Sequence, residues 1–124
     1  MPKRRILIVD DLEDSAASLA FLLEGLGHEV KFTTLPAKAL EIASTFLPEF
    51  VFVDIGMPKM NGWELAKKIK SNPLTAAARI FAVTGYAQPE DKQRSHAAGI
   101  EAHLLKPLEF RLLADLLSSK VPAR

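Results

Sequence analysis

The chain has 124 residues, of which 48% are hydrophobic and none is cysteine. These values predict one globular domain over residues 1–124 with a single core, and the lack of cysteine excludes disulfides, thiolate metal sites and thiol nucleophiles. The 16 basic and 15 acidic residues leave a net charge of +1, which is too balanced to predict nucleic acid or an anionic membrane as the main partner.

The first predicted strand covers residues 6–9, four apolar and mostly β-branched residues followed by Asp10 and Asp11. This run is far shorter than a signal-peptide core or a membrane span, so we expect a cytoplasmic protein with no membrane partner. The basic cluster at residues 3–5 before it is interpreted as a solvated chain start. Leucines at helical spacing then predict a helix from about Asp14, which can cap it, to about residue 26, with Gly27 as the stop.

The second strand and helix follow directly. Val30 and Phe32 alternate with polar residues over positions 28–33, which predicts a half-exposed strand near a sheet edge. Pro36 suits the first position of a helix that ends before Pro48. The side chains predicted to line its inner side are Ala39, Leu40, Ala43 and Leu47.

The second half of the chain repeats this alternation three times. Strands are predicted at residues 50–53, 80–83 and 100–105, and helices at about 62–70, at about 89–99 and from 110 onward. Leu65, Ala66 and Ile69 are expected to face inward in the third helix, with Lys67, Lys68 and Lys70 outward. The fourth helix is the most polar, so we expect it to be the mobile element.

Alternating strands and helices with short connections predict an α/β fold with a parallel sheet and helices on both faces, joined by right-handed crossovers. In such a sheet, the carboxyl ends of the strands meet at one edge, where ligands and chemistry collect. Five polar residues that come directly after buried strands should therefore lie at that edge: Asp10, Asp11, Asp54, Thr84 and Lys106.

Three carboxylates at one edge repel one another, by about 1 kcal/mol per pair at 4 Å in water and about 4 kcal/mol at a protein surface. They need a cation or a proton, and oxygen ligands favour Mg²⁺ or a similar hard ion. Such an ion would leave Asp54 able to attack phosphorus as a nucleophile. Lys106 could then pair with a phosphoryl oxygen, and Thr84 could donate a hydrogen bond to another.

Each residue also has a simpler reading when taken alone. Asp10 and Asp11 could cap a helix, Asp54 could end a strand, Thr84 could form a turn and Lys106 could be a solvated surface lysine. The simple readings require several independent coincidences at one sheet edge, so we favour the phosphoryl-transfer interpretation.

Four segments together resemble the receiver domain of two-component response regulators, in matching order and over nearly the whole chain. They are residues 9–11 (Val-Asp-Asp), 53–58 (Val-Asp-Ile-Gly-Met-Pro), 83–85 (Val-Thr-Gly) and 105–107 (Leu-Lys-Pro). The resemblance implies a flavodoxin-like (βα)5 fold with strand order 2-1-3-4-5, for which this family supplies a standard example.

The resemblance also implies a function and a site. Asp54 would accept phosphate from a histidine kinase or a histidine phosphotransfer protein, and the signal would pass to a downstream target protein. Asp11, Asp54 and the carbonyl of Gly56 would hold Mg²⁺, with Asp10 acting through water. The domain would be regulatory rather than an enzyme, with its own phosphorylation and dephosphorylation chemistry, and the bond between Lys106 and Pro107 would be cis.

One position departs from the family pattern. His103 stands three residues before Lys106, where the family usually has Tyr or Phe, which puts the usual aromatic switch in doubt. Histidine here resembles receivers attached to hybrid histidine kinases. His103 could report the phosphorylation state, or it could be a satisfied strand histidine. The surface expected to change is the fourth helix, fifth strand and fifth helix, with Tyr86 nearby.

Three rival functions stay open. A phosphatase with an aspartyl-phosphate intermediate, similar to the haloacid dehalogenase group, would carry a second acid where this chain has Gly56. A flavin-binding protein would have to place the flavin phosphate beside Asp10 and Asp11, which would repel it. An interaction module that takes no phosphate is the third.

Overall fold

The computed structural model describes residues 3–55, 62–85, 89–106 and 108–118, with backbone alone for residues 89–92. These residues form five strands and five helices in strict alternation. The strands are β1 (Arg5–Val9), β2 (Glu29–Thr33), β3 (Phe50–Asp54), β4 (Arg79–Thr84) and β5 (Ile100–Leu105). The helices are α1 (Glu13–Gly25), α2 (Pro36–Phe46), α3 (Gly62–Ser71), α4 (Pro89–Ala97) and α5 (Phe110–Ser118). In the described ranges, none of the helices has the length and apolar character needed to cross a bilayer.

The five strands form one parallel sheet in the order β2-β1-β3-β4-β5, which confirms the predicted fold class and strand order. The central strands are buried on both faces, as their continuous apolar runs predicted. The sheet divides the interior into two hydrophobic clusters rather than the single core that chain length predicted. One lies between the sheet and α2 and α3, and the other lies between the sheet and α1 and α5. Because all five strands are parallel, their carboxyl ends lie at the same edge of the sheet.

Strand β2 lies at the edge of the sheet and is partly exposed, which confirms the prediction from its alternating pattern. Phe32 keeps 38% of its surface exposed, whereas Val30 packs against the core on the α1 side. A strand at the edge of a sheet has a neighbour on one side only, so the alternating pattern predicts the face of a side chain better than its burial.

Two helix ends differ from the prediction. Asp14 lies inside the first turn of α1, and the capping position is Leu12, whose side chain makes no capping hydrogen bond. Helix α2 begins at Pro36 as predicted, but Leu47 follows the helix in a left-handed conformation with φ of 52° and is 42% exposed. Leu47 therefore ends the helix and does not line its inner side.

Lys70 does not point outward as predicted. Its ammonium donates hydrogen bonds to the carbonyl oxygens of Ala78 at 2.7 Å and Ala76 at 3.0 Å. Its stem passes over Gly99, where an added Cβ would lie 2.7 Å from Lys70 Cγ and where φ is +90°. Lys70 thus satisfies the loop before β4 and fills the space above the turn before β5, while Lys67 and Lys68 are exposed as expected.

Arg4 belongs to the core and not to a solvated chain start, because it is only 8% exposed. Its Nε donates to the carbonyl of Leu117 in α5 at 2.9 Å, and its Nη1 donates to Glu49 Oε2 at 3.2 Å. The guanidinium carbon lies 5.6 Å from the centre of the Phe50 ring. Arg4 therefore connects the last turn of α5 with the starts of β1 and β3.

His28 predicts an acid-sensitive component of stability. It is 5% exposed, and its Nδ1 accepts a hydrogen bond from the Arg4 backbone N–H at 3.0 Å. Burial, followed by the charge of Arg4, lowers the pKa of His28 below its usual value of 6.5. Because the unfolded chain then binds the proton more readily, the contribution is complete above that value and is lost as pH falls through the lowered pKa.

We therefore expect the free energy of unfolding to fall as pH drops below about 6.5, the usual histidine pKa, and His28→Gln to reduce that slope. Urea unfolding followed by circular dichroism at several pH values measures it. His96→Gln is the matched control, since His96 is exposed and its replacement should keep the wild-type slope. An unchanged slope in His28→Gln would contradict the assignment.

Candidate functional site

The carboxyl ends of the central strands carry the predicted site residues. Asp10 follows β1, Asp54 ends β3, Thr84 ends β4 and Lys106 follows β5. The register places Val53 beside Val9, Asp54 beside Val83, and Thr84 beside Leu105. The chemistry-bearing residues are therefore level with one another at one edge of the sheet.

Lys106 joins the two buried carboxylates. Its ammonium nitrogen lies 2.7 Å from Asp54 Oδ2 and 3.4 Å from Asp10 Oδ2. The side chains of Asp10 and Asp54 are 6% and 10% exposed, and that of Lys106 is 32% exposed. The two carboxylates thus share one ammonium, and they are more deeply buried than the lysine that they share.

The pKa of Lys106 is raised above its usual 10.5. Burial acts against the charged ammonium, but the hydrogen bond and charge of Asp54, together with the charge and hydrogen bond of Asp10, outweigh it. While both carboxylates are charged, the ion pair therefore stabilises the fold, and on the alkaline side this contribution is lost as pH rises through the raised pKa of Lys106.

Asp10 is held from its other oxygen as well. Its Oδ1 accepts a hydrogen bond from the backbone N–H of Leu12 at 3.0 Å. Asp10 consequently links the site to the start of α1, with one oxygen directed to the backbone and the other to Lys106. Asp11, the next residue, is half-buried.

Thr84 is 2% exposed, and its carbonyl accepts a hydrogen bond from the backbone N–H of Lys106 at 2.8 Å. This bond extends the pairing of β4 and β5 past the end of β5. The backbone of Lys106 is therefore positioned by its pairing with the end of β4.

Gly62, the first residue of α3, lies close behind the end of β3. An added Cβ there would lie 2.9 Å from Ile55 Cγ2, 3.0 Å from Val53 Cγ1 and 3.4 Å from the carbonyl oxygen of Asp54. Only glycine allows this approach without displacing the end of the strand. The close packing fixes Asp54 relative to α3.

A cavity of about 480 Å³ opens beside the site, between α1 and the sheet. Asp10, Asp54 and Lys106 line one end of it. The remaining lining residues are Ile8, Val9, Ser15, Ser18, Leu19, Leu22, Phe52, Val83 and Leu108. The sequence interpretation missed this cavity, because helical spacing identifies Leu19 and Leu22 as inward-facing but does not show the gap beside them.

His103, the residue that departs from the family pattern, is hydrogen-bonded through Nε2 to Ser95 Oγ. The same hydroxyl oxygen accepts a hydrogen bond from Trp63 Nε1 at 2.8 Å. Sequence interpretation did not single out Ser95 or Trp63, whose partners lie on other elements of the fold. Trp63 is the one tryptophan of the chain, and that rarity was the available signal.

The donor atoms suit a hard divalent cation in their chemistry. Asp10 and Asp54 already converge on one cation, the ammonium of Lys106, and carboxylate oxygens are the ligands that Mg²⁺ prefers. Within the described part of the chain, no three acidic or histidine side chains are grouped closely enough to hold a metal ion. The predicted ligand Gly56 lies outside the described residues.

Two further predictions also fall outside the described residues. They are the nearness of Tyr86 to the changing surface and the cis bond before Pro107.

Comparison with known proteins identifies a family and several relatives. The family model of the response regulator receiver domain matches residues 6–118. The chain is 36% identical over 110 residues to a probable cyclic di-GMP phosphodiesterase of Vibrio cholerae, which covers 87% of this chain but 24% of that protein. It is 29% identical over 119 residues to the polar-differentiation response regulator DivK of Brucella anthropi, with 96% of each chain covered.

A solved structure agrees with this assignment. The chemotaxis protein CheY4 of Vibrio cholerae superimposes with a TM-score of 0.87 and 27% identity, covering 94% of this chain and 97% of that one. The chain therefore spans nearly the full length of some relatives and about a quarter of another. What the longer relative does as a whole is a property of that protein.

Proposed function

Because the chain belongs to the response regulator receiver domain family, we propose that it is the phosphoacceptor of a two-component system and forms one receiver domain over residues 1–124. Receiver domains work with histidine kinases or phosphotransfer proteins and with downstream targets, and they generally bind Mg²⁺. We propose Asp54 as the residue that accepts the phosphoryl group. The observation that carries this proposal is the contact of 2.7 Å between Lys106 and the buried Asp54 carboxylate.

In the proposed transfer, a carboxylate oxygen of Asp54 attacks the phosphorus atom of a phosphohistidine. The new O–P bond forms as the P–N bond breaks, and the imidazole of the donor leaves with the electron pair of that bond. Asp54 suits this role because it ends a buried strand and lines the cavity beside the site.

The proposed metal ligands are Asp10, Asp11, Asp54 and the carbonyl of Gly56, with Asp10 acting through water. When bound, Mg²⁺ supplies positive charge that offsets the repulsion between these carboxylates and an incoming phosphoryl group. Lys106 supplies a second positive charge from the chain itself, at 2.7 Å from Asp54 Oδ2.

After transfer, Lys106 would exchange its ion pair with the Asp54 carboxylate for one with a phosphoryl oxygen, and the Thr84 hydroxyl would donate to another oxygen. The hydrogen bond from the Lys106 N–H to the Thr84 carbonyl joins the end of β4 to the residue that follows β5. We propose that this connection shifts the surface formed by α4, β5 and α5 toward a second conformation that a target protein binds.

The size of the proposed shift determines how much interaction energy phosphorylation must supply. Moving a two-state equilibrium from 1:99 to 99:1 needs about 5.5 kcal/mol of differential interaction. A hydrogen bond to a charged group contributes about 1.5 to 3 kcal/mol. One such bond from Thr84 supplies about a quarter to a half of this energy. We propose that the remainder comes from the difference between the two Lys106 ion pairs and from other contacts of the phosphoryl group.

Intact-mass spectrometry tests the proposal. We expect the wild-type chain to gain the mass of one phosphoryl group from acetyl phosphate when Mg²⁺ is present, and no such gain without Mg²⁺ or in Asp54→Asn. Asp115→Asn is the matched control, since Asp115 lies on α5 outside the site, and it should be modified like the wild type. A wild-type chain that stays unmodified at saturating Mg²⁺ and acetyl phosphate would contradict the proposed function.

A further inference from the structure

Three side chains on different elements form a continuous hydrogen-bonded chain. Trp63 of α3 donates from Nε1 to Ser95 Oγ of α4 at 2.8 Å, and Ser95 Oγ is hydrogen-bonded to Nε2 of His103 in β5. Ser95 is 2% exposed. One buried hydroxyl therefore connects two helices and an edge strand.

The donors and acceptors in these two hydrogen bonds give Ser95 a specific role. An indole N–H can only donate, so the Ser95 oxygen is the acceptor in its bond with Trp63. The hydroxyl hydrogen is then available to the ring nitrogen of His103. Alanine in place of Ser95 removes both bonds at once, and the buried position does not readily admit water as a substitute.

Helix α4 depends on such contacts because it has little apolar surface to bury. Of its side chains at positions 93–97, only that of Ser95 is buried. Arg94, the preceding residue, lies over the Trp63 ring at 4.2 Å from its centre. For an ordinary surface helix, an apolar face fixes its position, whereas polar contacts to Trp63 and His103 connect α4 to its neighbours.

We propose that Ser95 is a positioning residue that holds α4 against α3 and β5, so that α4, the His103 ring and the Trp63 indole move as one unit. This coupling is a property of the unphosphorylated chain. Its use in signalling rests on the proposed function, since a phosphorylation-driven shift of α4 would have to break or re-form the bonds at Ser95. His103 would then act through Ser95, in a way that a phenylalanine ring, which has no hydrogen-bonding atom, could not.

The first experiment uses the Trp63 indole as the reporter, because a single tryptophan gives one indole ¹H–¹⁵N signal in NMR spectra. We expect Ser95→Ala to move that signal and to speed amide hydrogen exchange in α4 by about 2- to 12-fold for each lost hydrogen bond. Ser71→Ala is the matched control, since Ser71 is exposed and its hydroxyl donates to the Lys67 carbonyl within α3. It should change neither readout.

A second variant tests the relay itself. His103→Phe keeps a ring but removes Nε2, and we expect the Trp63 indole signal to move because Ser95 Oγ is hydrogen-bonded to both rings. In a Ser95→Ala background, the same replacement should leave the indole signal where Ser95→Ala alone puts it. The proposal would be overturned if the Trp63 indole signal stayed in place in His103→Phe, or if amide hydrogen exchange in α4 were unchanged in Ser95→Ala. If Ser95→Ala does not fold, the response to His103→Phe alone decides it.

Phosphorylation separates the two proposals. If acetyl phosphate and Mg²⁺ add a phosphoryl group by mass and the Trp63 indole signal moves, the unit takes part in the switch. If the mass increases and the signal stays in place, Ser95 has no role in switching. If the mass does not increase, the proposed function fails, while the variants of the unphosphorylated chain still decide the role of Ser95.

Discussion

Replacing Lys106 with methionine should lower the free energy of unfolding at neutral pH by about 1 to 3 kcal/mol. Removing one partner of a fully buried ion pair costs about 3 to 5 kcal/mol, and the value is reduced here because a third of the Lys106 side chain is exposed to screening by water. The cost arises because Asp10 and Asp54 would keep their charges in a buried site without the shared ammonium. Urea unfolding followed by circular dichroism measures it.

Two comparisons make this result specific. Lys68→Met removes an exposed pair with Glu64 at 3.7 Å, and we expect a change below about 0.5 kcal/mol. Adding Asp10→Asn to Lys106→Met should recover most of the lost stability, because one carboxylate no longer repels the other. A Lys106→Met protein as stable as the wild type would show that the two acids do not depend on this ammonium.

Replacing Thr84 with alanine should leave phosphorylation of Asp54 intact but weaken its effect on the surface formed by α4, β5 and α5. The lost hydrogen bond to a charged phosphoryl group corresponds to about 1.5 to 3 kcal/mol, which is about a 10- to 150-fold decrease in the equilibrium constant for switching. Intact mass should show normal modification, and the NMR signals of α4 and β5 should move less than in the wild-type chain.

Thr84→Ser provides the conservative comparison, because it keeps a hydroxyl at a position that is 2% exposed and should retain most of the response. Thr45→Ala is the surface control, since the Thr45 hydroxyl bonds carbonyls within α2. A full response of the α4 and β5 signals in phosphorylated Thr84→Ala would refute the role given to this hydroxyl.

The fold was predictable because its strongest signals are local. Each central strand is a run of four apolar residues next to turn formers, and Gly27 and Gly99 stop helices with positive φ values of 96° and 90°. Helix boundaries were less accurate, as Asp14 and Leu47 show, because several residues near a helix end can satisfy the same backbone groups. Parallel connectivity then leaves few topologies.

Arg4 and Lys70 show what the local pattern could not reveal. Both are basic residues in polar stretches, and both donate to backbone carbonyls on other segments, at 2.9 Å to Leu117 and at 2.7 Å to Ala78. Sequence identifies a donor but not a carbonyl that only tertiary packing brings within reach. A solvated reading is therefore the default for such residues, and it was wrong for these two.

The candidate site divides in the same way. Asp10, Asp54, Thr84 and Lys106 were predictable because strand ends of a parallel sheet share one edge. The hydrogen-bonded chain through Ser95 was not, because His103 and Trp63 lie 8 and 32 residues from it in sequence and on other elements. The cavity beside the site was not predictable either, since a gap depends on how far two packed layers stand apart.

The guanidinium of Arg4 has a mechanical consequence. It donates to the carbonyl of Leu117, pairs with the carboxylate of Glu49 and lies over the Phe50 ring. These contacts connect the last turn of α5 to the central strands β1 and β3. We expect a force applied at that turn to be transmitted to the starts of β1 and β3 before the helix end unfolds. The edge of the sheet opposite Asp54 is thus rigidly connected to the last turn of α5 through Arg4.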